Sequence, residues 1–136
     1  VPWTGNPGFG HIDIARWVYV AETDEKAKQE SAGGVVTHLQ NFMSKGTSGY
    51  LGRVSEKDMS KDLDYDDLAQ TTFLHGSPET VIQRLGLLQE MTGLTSLVLH
   101  YPPYYGPDKA LKSLKLFAKE VMPAFRDGSE ATAAAE

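Results

Sequence analysis

Cysteine is absent from the 136-residue chain, which excludes disulfide cross-links and thiolate metal sites. Basic side chains are scarce: 13 Lys and Arg stand against 18 Asp and Glu, for a formal charge of −5. A nucleic-acid partner needs a concentrated basic face to replace the counterions on phosphate, and this balance argues against one. No stretch approaches the ~18 consecutive apolar residues of a membrane span. There is no HExxH, Walker loop, GxSxG or paired-histidine spacing, so no metal site is expected. Residues 1–8 have no initiator Met, basic n-region or apolar h-region and read as a loop entered from further upstream. Residues 127–136 form a small polar tail with no core-forming pattern.

What is present is an ordinary globular composition, 40% hydrophobic and 23% charged, which excludes a disordered chain and fits one domain or part of one. A chain of this length that folds alone buries roughly two-thirds of its unfolded surface.

Residues 12–21 are β-branched and aromatic, and the unbroken Val18, Tyr19, Val20 run predicts a strand buried on both faces. A helix follows at once. Thr23 is placed to cap it, Asp24 and Glu25 put carboxylates at the positive end of the helix dipole, and Ala32, Val35, Val36, Leu39, Phe42 and Met43 keep a 3.6-residue period. Gly33 and Gly34 weaken it locally. Between residues 46 and 70 the pattern dissolves into glycine, serine and charge, a long excursion with room for a short helix. Its acids Glu56, Asp58, Asp62, Asp64, Asp66 and Asp67 lack the glycine-centred spacing of a calcium loop and read as a solvated face.

A second short strand is expected at residues 71–75, then a helix with Ser77 as cap and Pro78 as its first residue. Val81, Ile82, Leu85, Leu88 and Met91 line its inner face, and Gly93 sits where a left-handed stop belongs. Residues 95–101 read as a third strand. After the loop 102–106, Pro107 opens a third helix, with Ala110, Leu111, Leu114, Phe117, Ala118 and Val121 inward, Lys109, Lys112, Lys115 and Lys119 outward, and Pro123 as its stop.

Strands alternating with amphipathic helices imply an α/β fold with a parallel sheet and right-handed crossovers. A parallel sheet needs both faces and both edges covered, and three units leave edges bare. The pattern therefore points to part of an eight-unit barrel or of a larger open sheet. A small flavodoxin-like domain is the alternative, although such folds usually need about five strands.

Three phrases carry a family resemblance: residues 18–27 (Val-Tyr-Val-Ala-Glu-Thr-Asp-Glu-Lys-Ala), residues 76–81 (Gly-Ser-Pro-Glu-Thr-Val), and residues 113–126, running from Ser113 to Arg126. In this order and spacing they resemble the C-terminal part of bacterial luciferase-like, flavin-dependent monooxygenases. The resemblance implies that residues 1–126 are the last three strand-helix units of a TIM-like (β/α)8 barrel. It also implies oxidation of a small organic substrate by reduced FMN and molecular oxygen, with the flavin supplied by a separate reductase in the cytoplasm. The missing N-terminal half of such a barrel, or a second chain, would be a partner, homo-oligomer formation is expected, and this fragment alone would be inactive. Two alternatives stay open: a deazaflavin-dependent oxidoreductase of the same superfamily, and a non-catalytic fragment that self-associates.

Sites in β/α barrels lie at the C-terminal ends of the strands. His100 meets that test, and its imidazole could orient a peroxy-flavin or shift a proton as a catalytic residue. The bland reading is a structural histidine bonded to a neighbouring loop. His75, Gly76 and Ser77 join a strand end to a helix N-terminus, where free N–H groups can hold a cofactor phosphate; equally, Ser77 could do no more than cap its own helix. Arg16 lies among apolar strand residues and needs a carboxylate, a carbonyl or the cofactor, with Asp13 as the nearby acid. The loop at residues 101–106 could stack its tyrosines on a planar ligand, or pack them as a rigid turn.

Overall fold

A computed structural model describes residues 10–43 and 63–126. Glu56, Asp58, Asp62 and the tail at 127–136 therefore lie outside the described residues, as does the loop read at 1–8. The elements run β1 (Asp13–Val20), α1 (Asp24–Met43), α2 (Tyr65–Thr71), β2 (Leu74–Gly76), α3 (Pro78–Thr92), β3 (Ser96–His100) and α4 (Pro107–Leu116). A 3₁₀ turn occupies Pro103–Tyr105, and α4 continues into a π turn, Phe117–Val121, and a 3₁₀ turn, Met122–Phe125.

The local signals act as read. Thr23 Oγ1 accepts the Lys26 N–H at 3.1 Å, and Ser77 Oγ accepts the Thr80 N–H at 3.3 Å. Gly93 closes α3 in the left-handed region at φ 69. The second strand starts later than expected. Thr71 ends α2, and the N–H groups of Thr72 and Phe73 both bond Leu68 O, so those residues are consumed by the helix stop.

The three strands form a parallel sheet in the order β2-β1-β3. The central strand divides its length: Asp13 to Trp17 pair with Ser96 to His100, and Val18 to Val20 pair with Leu74 to Gly76. The α/β class and the parallel sheet are thus as expected, while the arrangement corrects the simple barrel segment. Consecutive barrel strands would lie in chain order with every helix on one side. Here the crossovers from β1 to β2 and from β2 to β3 run in opposite directions, so right-handed connections place α1 and α3 on opposite faces. β3 takes the edge of β1 that β2 leaves bare, satisfying backbone groups that would otherwise lack partners.

Two cores follow from the alternation of β1. Trp17, Tyr19 and Ala21 pack with Ala27, Val35 and Leu39 of α1 and with Leu68, Phe73 and Tyr105. Val18 and Val20 pack with Leu74, with Val81 and Leu85 of α3, and with Phe117 and Val121. Gly34 lets the 3₁₀ turn lie directly on α1, since a Cβ there would sit 2.9 Å from Tyr105 and 3.0 Å from the Tyr104 carbonyl.

The last helix departs from its expected inner face. Leu111 and Leu114 are 51% and 42% exposed, Ala118 is exposed, and Ser113 is buried. Ser113 Oγ accepts the Val20 N–H at 2.7 Å, capping the stretch of β1 edge that β3 is too short to cover. The π turn then resets the helical phase and brings Phe117 and Val121 inward. Met91, in the last turn of α3, is exposed rather than inward.

Candidate functional site

The register places His75 beside Tyr19 on the face of the sheet that α1 covers. His75 is buried at 4% exposure, and both ring nitrogens have partners. Nδ1 lies 3.0 Å from the Tyr65 hydroxyl and 3.1 Å from Ser31 Oγ, while Nε2 lies 3.1 Å from the Tyr105 hydroxyl. Ser31 gives its own proton to Ala27 O at 2.6 Å and can only accept from the imidazole. Two neutral tautomers satisfy this network. In one, Nδ1–H donates and Tyr105 donates to Nε2; in the other, Tyr65 donates to Nδ1 and Nε2–H donates to Tyr105.

Burial, reinforced by the charge of Arg84, pushes the His75 pKa down to about 3. Burial likewise raises Tyr65 and Tyr105. Tyr19 is raised by burial and by donating its hydroxyl to Glu30 at 2.6 Å. His75 is thus a neutral hub joining α1, α2 and the 3₁₀ turn.

Gly76 and Ser77 follow at the end of β2, and the donor foreseen there for a phosphate is occupied. The Ser77 N–H donates to Asp24 Oδ1 at 2.7 Å and the Thr80 hydroxyl to Asp24 Oδ2 at 3.0 Å. The Ser77 N–H, more than any other group, holds the Asp24 carboxyl below its ordinary pKa. Gly76, at φ 151, has no room for a side chain: a Cβ would lie 2.7 Å from Asp24 Oδ1. The anion at this helix start is the chain's own carboxylate.

His100 ends β3 beside Trp17, on the same face as His75, and is exposed. Its ring stands edge-on to Trp17 at 6.4 Å. His38 of α1 lies 6.3 Å from Trp17, 4.7 Å from Phe42 and 6.1 Å from Tyr104. Asn41 Nδ2 donates to the Tyr104 hydroxyl at 2.6 Å. Burial and the neighbouring His100 lower the His38 pKa. Trp17 and Phe73, 5.9 Å apart, connect this aromatic wall to His75, which stacks on Phe73 at 4.8 Å.

The sheet therefore brings His75 and His100 to one face, on either flank of β1, and leaves Arg16 on the other. Arg16 donates from Nη1 to Ala15 O at 2.8 Å. Asp13, an odd number of residues away on a regular strand, projects from the opposite face, so the two do not meet. Sequence reading missed Ser31, Tyr65 and Tyr105 as partners of His75, and His38 beside His100. One signal was present: Ser31 stands between Ala27 and Val35 on the apolar stripe of α1, where a serine must find a polar partner.

Among the described residues, no three His, Cys, Asp or Glu side chains gather as a metal site would need, and no helix is long and apolar enough to cross a membrane. No protein-family model matches the chain. It is 27% identical over 131 residues to 2,5-diketocamphane 1,2-monooxygenase 1 of Pseudomonas putida, covering 90% of this chain and 36% of that enzyme. With 2,5-diketocamphane 1,2-monooxygenase 2 of the same organism it is 25% identical over 126 residues, covering 86% and 35%. Its relatives are monooxygenases.

A solved structure extends the likeness. It is a type II Baeyer–Villiger monooxygenase, the oxygenating constituent of 3,6-diketocamphane monooxygenase from the CAM plasmid of Pseudomonas putida, in complex with FMN. It matches with a TM-score of 0.60 and 30% identity over 82% of this chain and 33% of that one. The resemblance to luciferase-like, flavin-dependent monooxygenases is borne out by these relatives. The chain spans about a third of the length of the relatives it matches.

Proposed function

We propose that this chain is the C-terminal part of a flavin-dependent monooxygenase that uses reduced FMN and molecular oxygen to oxidise a small organic substrate. A separate reductase supplies the flavin, and the enzyme works in the cytoplasm. The observation that carries this reading is the 30% identity, across 82% of the chain, to a monooxygenase constituent solved with FMN.

The residues present fit one part of the cofactor. Half-buried His38 and exposed Tyr104 and His100, backed by the buried Trp17, form an aromatic surface suited to a planar ring. The phosphate contacts fall to the remaining two-thirds of the enzyme, because Asp24 already takes the Ser77 N–H. When bound, reduced FMN supplies the electrons that activate oxygen. His100, at a strand end with its imidazole open to the wall, gives or takes the proton. His75 stays neutral and positions the wall: its bond to Tyr105 anchors the turn that presents Tyr104.

Among the described residues no strand lies on the outer edge of β3, and Val98 is 46% exposed, which supports docking against the rest of the enzyme or a second copy. Anaerobic titration with reduced FMN, applied to this chain and to a polypeptide of the relatives' full length, tests the proposal. The longer polypeptide should bind FMN and oxidise a cyclic ketone, and His100→Ala should cut turnover at least tenfold while leaving the melt unchanged. A longer polypeptide blind to reduced FMN would overturn the reading.

A further inference from the structure

A cavity lies beside β2, where α1, α2 and α3 begin. It has a volume of about 280 Å³, and its lining includes the charged Asp24, Glu25, Lys28, Asp66 and Arg84 together with His75. Apart from His75, it shares nothing with the aromatic wall beside His100.

Its charges are unevenly matched. Lys28 Nζ pairs with Asp66 Oδ2 at 2.7 Å. Asp24 is held by the Ser77 N–H and the Thr80 hydroxyl. Arg84 has no such partner: among the described residues its guanidinium makes no hydrogen bond or ion pair, and its Nη1 is buried. A partly buried guanidinium with no acceptor is costly, because its lost hydration is not replaced. Its charge is nonetheless felt around the cavity, where it adds to the lowering of the Asp24 and His75 pKa values and partly offsets the rise of Tyr65.

We infer that this cavity binds the carboxylate of a small organic acid through Arg84. A carboxylate matches the planar fork of a guanidinium with two parallel bonds. Formal charges at the cavity, Arg84 and Lys28 against Asp24, Glu25 and Asp66, sum to −1, which disfavours a phosphate dianion more than a monoanion. The volume lies at the small end of ligand pockets and suits one ring bearing an acid group. The inference does not depend on flavin chemistry.

Amide NMR titration of the chain with sodium benzoate, and separately with inorganic phosphate, is the test. Benzoate should give saturable shifts confined to the amides around Gln70, Thr80 and Arg84. Arg84→Gln should weaken binding at least tenfold, and Arg84→Lys, which keeps the charge but loses the fork, at least threefold. Without ligand, Arg84→Gln should melt no lower than the parent, whereas a purely structural arginine would lower the melt. Should Arg84→Gln fail to fold, Arg84→Lys decides. Absence of a saturable benzoate response, tighter binding of phosphate than benzoate, or unchanged benzoate affinity in Arg84→Lys would each overturn the inference.

Discussion

The Asp24 carboxylate reaches across 53 residues of chain to take the Ser77 backbone N–H at 2.7 Å. One side chain in the first turn of α1 thereby also completes the start of α3, and the adjacent ends of β1 and β2 are locked together. Asp24→Ala leaves the Ser77 N–H and the Thr80 hydroxyl without their acceptor and should cost about 1–2 kcal/mol by urea denaturation. The pKa of Asp24 is depressed in the fold, so its contribution is complete above the unfolded value near 3.9 and is lost as pH falls through the lower folded value. Asp24→Asn should lose that acid-limb dependence; an unchanged limb would refute the assignment.

Two neighbouring glycines in α1 should respond in opposite ways to the same change. A Cβ on Gly33 meets open space, and Gly33→Ala should stabilise by about 1 kcal/mol through helix propensity. A Cβ on Gly34 meets the Tyr104 carbonyl at 3.0 Å, so Gly34→Ala should destabilise by about 1–3 kcal/mol as the turn is pushed off the helix. Thermal melts of the two variants side by side check both signs.

His75 makes the fold sensitive to mild acid. Its folded pKa of about 3 lies below the unfolded value near 6.5, so between these limits the unfolded chain binds the extra proton. Stability should therefore fall as pH drops through this window, by at most about 1.4 kcal/mol per unit from this group. His75→Gln should be less stable at pH 7 and should show a shallower fall. Detection by NMR of a charged His75 in the folded protein at pH 6 would contradict it.

Val98→Lys places a charge on β3, which has no strand on its outer edge among the described residues. Under the docking proposed for β3, light scattering should show self-association at least tenfold weaker than in the parent, with stability within about 0.5 kcal/mol. Equal association in both proteins would remove β3 from the interface.

Local chemistry was legible in the sequence, and long-range choices were not. Thr23, Ser77 with Pro78, and Gly93 act within one turn of themselves, so their roles follow from residue type and position. The odd spacing of Asp13 and Arg16 already implied opposite faces of a regular strand. Strand order was hidden because nothing in β1 marks which neighbour takes which half of its length. Ser77 has the composition of a phosphate-binding helix start, and only the fold reveals that Asp24 arrives there first. In α4 an apolar period suggested that Leu111 and Leu114 face inward, but Ser113 is drawn inside by the Val20 N–H. His75 was singled out for its place at a strand end; its partners Ser31, Tyr65 and Tyr105 come from three separate stretches that only tertiary packing unites.

The divided pairing of β1 also bears on how the chain emerges from a ribosome. Asp13 must wait for Ser96, 83 residues later, before its edge is covered. At the usual elongation rate of about 5–20 residues per second, that interval lasts roughly 4–17 s. Val18 to Val20 wait only for Leu74 to Gly76, 56 residues later, but until then the run Trp-Val-Tyr-Val is synthesised and sticky without a strand partner, so a chaperone that shields nascent strands would act on this segment before any other part of the sheet exists.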